Sequence, residues 1–197
     1  KIPELALKHP EAIDFVANYP SSDGKASAYE ETIEKGTAPK LFTWDSRWGG
    51  VSFGSSILAV NGSGPTALSM AYMGLTADIA ELVTKANDAT GDSGMHSDFV
   101  ENHLDDLKLR AQGYDSSAAN INALLDQGTY LLAEVKENAF GDNAPAHWVL
   151  IASENADGSV MVYDPTSPEV SSHPWDSATV AAATQTLYVV SASESAE

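Results

Sequence analysis

The sequence contains no cysteine among its 197 residues. This absence excludes disulfide bonds, thiolate ligands for zinc and a cysteine nucleophile. Basic residues are also scarce, since 10 Lys and Arg stand against 28 Asp and Glu and the net charge is −18. Such a charge repels phosphate backbones and anionic lipid. We therefore expect no nucleic-acid partner and no membrane insertion, and no apolar run approaches the roughly 18 residues of a membrane span.

Length and composition indicate one globular domain with an N-terminal extension. A chain of 197 residues, 43% of them hydrophobic, suffices for a single core. We predict a helical extension at residues 1–37 that packs on a domain at 38–197. Amphipathic spacing predicts helices at 3–19 and 28–35 within the extension. The chain begins at Lys1 instead of methionine, which is typical of a processed or truncated product.

The order of helical and strand patterns predicts an α+β fold. Small residues lead into Pro65 and an apolar run with almost no charge, which predicts a buried helix that begins at Ser63. Further helices are predicted at 77–87 (capped by Thr76), 98–111 and 118–127. Strands are predicted at 129–135, 146–153, 159–163 and 186–191, with a hairpin turn at 155–158.

Two polar residues flank the predicted hairpin, and a serine begins the predicted buried helix. His147 and Asp164 lie at equal distance from the turn, so we expect them to oppose each other across two antiparallel strands. An aspartate there would orient the imidazole for proton transfer; the alternative is a solvent-facing polar pair at a sheet edge. Ser63 lies between two glycines, where a helix dipole would assist a nucleophile; the alternative is a plain N-cap.

Four sequence blocks occur in the order found in one protein family. They are Trp44–Gly49, Gly62–Met70, His147–Ile151 and Tyr163–Pro165. Together they resemble the papain-like cysteine peptidases similar to bacteriocin-processing, double-glycine leader peptidases, over about residues 2–191. The resemblance implies a papain-like fold, with a helical half and an antiparallel β half, and a peptide or protein ligand. It also implies a monomer without cofactor or metal ion, secreted or held at a bacterial cell surface.

The resemblance assigns roles to individual residues. Ser63 stands where the family has its nucleophilic cysteine, His147 where it has its general base, and Asp164 where an acidic or amide residue orients that base. Thr43 stands where a glutamine often assists the oxyanion. The implied substrate-binding residues are Gly62, Gly64, Met95, His96 and Trp148.

Two of these positions depart from the family pattern and predict little or no turnover. A serine hydroxyl does not ionise usefully and depends on proton removal by His147. Thr43 is too short to replace a glutamine as oxyanion donor. The alternatives are an inactive extracellular peptide-binding module and a slow serine-dependent hydrolase. Ser63 is either an introduced substitution or a natural replacement; Thr43 and Ala67, where relatives often have a second cysteine, favour the natural one.

Overall fold

An antiparallel β-sheet forms the centre of the protein. The computed structural model describes residues 2–79 and 94–193. Its strands are β1 (Ser52–Phe53), β2 (Ser56–Ile57), β3 (Leu109–Tyr114), β4 (Tyr130–Val135), β5 (His147–Glu154), β6 (Val160–Tyr163), β7 (Pro174–Trp175) and β8 (Thr184–Ala192). Strands β1 and β2 pair with each other, and the other six form one sheet in the order β3-β8-β4-β5-β6-β7. All pairings are antiparallel.

Helices precede, interrupt and cover this sheet. They are α1 (Ile2–Lys8), α2 (Ile13–Asn18), α3 (Leu58–Asn61), α4 (Ser63–Thr76), α5 (Ser97–Asn102), α6 (Ala118–Leu125) and α7 (Ser177–Ala183). Short 3₁₀ turns lie at Pro10–Ala12, Tyr19–Ser21, Asp105–Leu107 and Val170–Ser172. Helices together with an antiparallel sheet make the architecture α+β.

The central strands are buried on both faces because their side chains alternate between two hydrophobic clusters. Leu132 and Leu150 join the cluster on the side of α4. Their neighbours Leu131 and Val149 point the other way and pack with residues of α6 and α7, such as Ile121. Because both faces of the sheet are covered here, β4 and β5 have continuous apolar sequences instead of alternating ones.

Helix α4 begins at Ser63, as predicted, and lies in the interior of the protein. All nine residues from Ser63 to Ala71 are buried. Its polar side chains are satisfied locally, since the Thr66 and Ser69 hydroxyls donate to backbone carbonyls one turn earlier, at 2.7 and 2.8 Å. The helix can therefore be buried without unpaired hydroxyl groups.

The predicted helix at residues 3–19 is divided in the structure. His9 leaves the helical region with φ −128° and ψ 95°, because the residue before a proline is disfavoured in the α conformation. Pro10 then starts a 3₁₀ turn, and α2 follows. Ala12 and Phe15 anchor the extension in a third cluster that also contains Trp44.

The prediction of a helix at residues 28–35 was wrong. This segment is irregular apart from one bridge, because it is ordered by contacts with residues distant in the sequence. Ser27 N–H donates to the Arg47 carbonyl (2.8 Å), and the Arg47 guanidinium lies over the Tyr29 ring at 4.7 Å. Gly36, with φ +90°, forms the turn of a bridge between Glu34 and Thr37.

The predicted helix at 98–111 was correct only for residues 98–102. Helix α5 ends at Asn102, and Lys108 adopts a left-handed conformation (φ 58°) that ends helical structure. Residues 109–114 then form β3, which pairs with β8 along its whole length. Pairing with a strand some 80 residues later outweighs the local helical spacing.

Most of the remaining predicted elements agree with the structure. Helix α6 is capped by Ser117, whose hydroxyl accepts the Asn120 N–H (3.1 Å). Strands β4, β5, β6 and β8 and the turn at 155–158 are present. Most of the predicted helix at 77–87 lies outside the described residues, but its start was wrong, because Thr76 is the last residue of α4 and Ala77 ends that helix with φ 62°. Helix α7 and strand β7 were not predicted. None of the helices in the described ranges is long and apolar enough to cross a membrane.

Candidate functional site

A cleft with a cavity volume of about 550 Å³ lies between the N-terminus of α4 and the start of β5. Ser63 lines it from the helix, and His147 and Trp148 line it from the strand. Thr43, Met95 and His96 also line it, so six of the predicted site residues meet here. Helix α1 and the segment 144–146 complete the walls.

His147 and Asp164 form a buried hydrogen-bonded pair. His147 Nε2 donates to Asp164 Oδ2 at 2.8 Å, and both side chains are almost fully buried. The alternative of a solvent-facing pair at a sheet edge is therefore wrong. The predicted register is also wrong, since Leu150 pairs with Tyr163 and Asp164 lies one residue beyond β6. A register shift between Ile151 and Ser153 moves the strands relative to each other, and the two side chains meet diagonally.

The Asp164 carboxylate is held from its own loop. Its Oδ1 accepts the Thr166 N–H at 2.8 Å and the Thr166 hydroxyl at 2.7 Å. The Asp164 N–H donates to Ser171 Oγ at 2.8 Å. With His147 on Oδ2, the carboxylate accepts three hydrogen bonds, which a charge only 1% exposed requires.

The His147 ring has a second acceptor on its other nitrogen. Nδ1 lies 2.7 Å from the Pro145 carbonyl oxygen. Because a carboxylate and a carbonyl both only accept, the doubly protonated imidazolium is the form that satisfies both partners. Burial lowers the pKa of His147, but the hydrogen bond and charge of Asp164, with smaller help from Pro145 and Asp142, raise it above its usual range. Both contacts therefore favour the cationic form of His147.

The Ser63 hydroxyl interacts with the strand backbone. Its Oγ accepts the Trp148 N–H at 3.1 Å, and the residue is only 8% exposed. No hydrogen bond joins Ser63 to the His147 ring, whose two nitrogens are already occupied. The plain N-cap alternative is wrong as well, because Gly62 holds the N-cap position of α4 and no side chain caps the helix.

Thr43 lies beside the cleft with its hydroxyl turned inward. Thr43 Oγ1 donates to the Ala59 carbonyl at 3.2 Å, and the residue is 1% exposed. Its backbone N–H donates to the Pro165 carbonyl at 2.9 Å, which ties this segment to the loop of Asp164. The side chain that stands at the predicted oxyanion position thus already has an acceptor of its own.

The predicted substrate-binding residues divide into two groups. Met95, His96 and Trp148 line the cleft, and Trp148 Nε1 donates to the Met95 carbonyl at 2.9 Å. Gly62 and Gly64 are buried and do not line it. They have a packing role, since a Cβ on Gly64 would lie 2.6 Å from Met95 Cβ, and one on Gly62 would lie 2.5 Å from the Leu58 carbonyl oxygen.

Several residues of the site were not predicted from the sequence. Pro145 acts through a backbone carbonyl, which leaves no side-chain signal. Thr166 follows Asp164 by two residues, a spacing typical of an Asx turn, and this signal was present in the sequence. Glu4, Leu5, Lys8 and His9 of the extension also line the cleft. Across residues 2–79 and 94–193, no group of three or more His, Asp or Glu side chains is placed to hold a metal ion.

Comparison with known proteins assigns no class to this site. No protein-family model matches the chain, and no curated protein sequence matches it.

Proposed function

We propose that this chain is a papain-like peptidase-family protein that binds peptides in the cleft and turns them over slowly or not at all. The observation that carries the proposal is the buried His147–Asp164 pair at a cleft whose facing wall is the N-terminus of a buried helix bearing Ser63. The sequence blocks that resemble the papain-like peptidases supply these same three residues. An extended peptide fits the size and the mixed polar and apolar lining of the cleft.

Three contacts support slow or absent turnover. Both ring nitrogens of His147 are directed at acceptors, so the imidazolium cannot remove a proton from Ser63. The Ser63 oxygen accepts the Trp148 N–H and makes no hydrogen bond with its expected base. The Thr43 hydroxyl donates to Ala59 and is not free to stabilise an oxyanion.

A positively charged His147 ring at this position would stabilise a thiolate. A cysteine peptidase rests as a thiolate beside an imidazolium, so a histidine held as a cation is its ready state. A serine must instead lose its proton during the attack, which requires neutral imidazole. A cationic His147 is thus matched to a cysteine at position 63 and not to a serine, which favours the peptide-binding role over hydrolysis.

A slow serine-dependent hydrolase is the second candidate, and the intact His147–Asp164 pair favours it. Hydrolysis would need His147 to lose one proton and to release the Pro145 carbonyl. Because the pKa of His147 is raised above the ordinary value near 6.5, any such activity should increase with pH as His147 loses its proton. The resemblance further leads us to propose a monomer that is secreted or held at a bacterial cell surface.

The test is to incubate a peptide library with the wild-type chain and with Ser63→Ala, and to measure cleavage by mass spectrometry and binding by calorimetry. We expect peptide binding by both proteins and no cleavage above that of Ser63→Ala. Ser69→Ala is a matched control, since Ser69 is a buried serine of the same helix that does not line the cleft. Absence of any peptide binding would contradict the proposed function, and Ser63-dependent cleavage would favour the hydrolase.

A further inference from the structure

One face of helix α1 forms a wall of the cleft. Glu4, Leu5 and Lys8 line the cavity, together with His9 directly after the helix. These positions recur at helical spacing and therefore share one side of α1. Leu7 points elsewhere and is 85% exposed. The extension is therefore in contact with the same cavity as Ser63 and His147.

Leu5 is the apolar centre of this wall. It packs against the cluster of Ala12, Phe15, Trp44, Ile57 and Ala59 but remains partly exposed. Val60 also packs against this cluster and remains partly exposed, and both residues line the cavity. Ala144, Pro145 and Ala146 line it as well. Since no residue of α1 is fully buried, part of the Leu5 surface is left for a ligand.

The charges beside Leu5 balance each other. Glu4 and Lys8 are one turn apart and carry opposite charges, so α1 itself contributes little net charge to the cleft, which Glu134 lines from β4. Lys8 Nζ also donates to the Asn143 carbonyl (3.4 Å), on the segment that leads into residues 144–146. Recognition at this end therefore depends on apolar contact, and the matching ligand group is an uncharged aliphatic side chain.

We propose that Leu5, Val60 and Pro145 form a subsite that accepts an aliphatic side chain of a peptide ligand, so that the N-terminal extension determines specificity in addition to packing on the domain. The inference rests on the proposed function in one respect: the ligand is a peptide that lies in the cleft beside Ser63. It predicts that truncating the apolar surface of α1 on its cleft side changes selectivity, whereas the same change on its outer side does not.

The test uses the thiol of a Ser63→Cys variant, which is unique in a chain without cysteine, as a reporter inside the cleft. Its reaction rates are measured with two maleimides of similar length, N-butyl and N-hydroxyethyl, and compared with the rates of free cysteine. We expect a preference for the butyl reagent. Leu5→Asn should reduce this preference roughly fivefold, because a half-buried leucine contact is lost. Leu7→Asn makes the same change on the outer face of α1 and should leave it unchanged.

A second variant, Val60→Thr, makes the same test from the other side of the subsite, in case Leu5→Asn loosens α1. Equal preferences in the Leu5→Asn, Leu7→Asn and Val60→Thr variants would overturn the inference. Calorimetry with peptides that differ only in leucine or serine at one position gives the second readout. If no peptide binds while the maleimide preference depends on Leu5, the subsite stands and the proposed peptide ligand is wrong.

Discussion

A cysteine in place of Ser63 should have a low pKa, because the groups that would stabilise a thiolate are in place. The side chain would lie at the first position of the 14-residue helix α4, within reach of the Trp148 N–H, in the cleft that His147 also lines. A helix N-terminus favours an anion by roughly 1 kcal/mol. A hydrogen bond to a charged group adds roughly 1.5–3 kcal/mol.

The expected size of the effect follows from these contributions. Together they amount to roughly 2.5–4 kcal/mol, or about 2–3 pKa units at 1.36 kcal/mol per unit. Burial of the thiolate opposes this, and we expect a net fall of about 2 units from the ordinary value near 8.5. At pH 6 the thiolate fraction then rises by roughly 80-fold. The lower intrinsic nucleophilicity of an acidic thiol offsets about tenfold of that gain, which leaves a rate enhancement of roughly tenfold.

The assay is the rate of alkylation by iodoacetamide between pH 4 and 10, followed by mass spectrometry. Leu7→Cys is the matched control, because it places a single thiol on an exposed face of the same protein. We expect Ser63→Cys to react roughly tenfold faster than this control at pH 6, and an added His147→Gln change to remove only a part of the advantage, because α4 and the Trp148 N–H remain. A pH midpoint of 8.5 or above for the Ser63→Cys thiol would refute the reasoning about this site.

Three further predictions concern stability and partners. The pKa of His147 is raised in the folded chain, so the stability it confers is complete below the unfolded value near 6.5 and is lost as pH rises through the folded pKa. Urea unfolding should therefore show His147→Gln to be most destabilised relative to wild type at pH 5–6; a difference that stays constant to pH 9 would contradict this. Gly64→Ala places a Cβ 2.6 Å from Met95 Cβ and should lower the free energy of unfolding by about 1–3 kcal/mol, whereas Gly113→Ala, whose Cβ would have no neighbour closer than 3.8 Å, should not. Fluorescence anisotropy should detect no duplex DNA binding at physiological salt because of the −18 charge, and a salt-sensitive micromolar complex would show that expectation to be wrong.

Elements with strong local signals could be predicted from the sequence. Helix α4 is defined by small residues, Pro65 and an uncharged apolar run, and α6 by a capping serine, so both begin where the sequence indicated. The turn at 155–158 has a glycine with φ +84° at the position that needs one. In each case the determinant lies within the element or directly beside it.

Elements ordered by distant contacts could not be predicted in this way. Strand β3 owes its conformation to β8, which is not adjacent in sequence. The segment around Tyr29 has helical spacing, but it is irregular because its aromatic ring is buried against Trp48 and Arg47. Tertiary packing outweighs a weak local preference in both places.

The residues of the candidate site also divide into those that could be predicted from the sequence and those that could not. Ser63, His147 and Asp164 could be identified from sequence blocks because their chemistry is carried by side chains. The Pro145 carbonyl, which gives the imidazole its second acceptor, could not, since every residue has a carbonyl. The cleft-lining role of Leu5 was equally hidden, because it depends on how the extension packs against Trp44, Ile57 and Ala59, which are distant in the sequence.

The most direct test of the account is a crystal structure of the wild-type chain soaked with a leucine-containing peptide that it binds in solution. We predict an intact peptide in the cleft beside Ser63 and Trp148, with its aliphatic side chain against Leu5 and with His147 still bonded to both Asp164 and the Pro145 carbonyl. An acyl group attached to Ser63 Oγ, or a peptide bound elsewhere with the cleft empty, would contradict it.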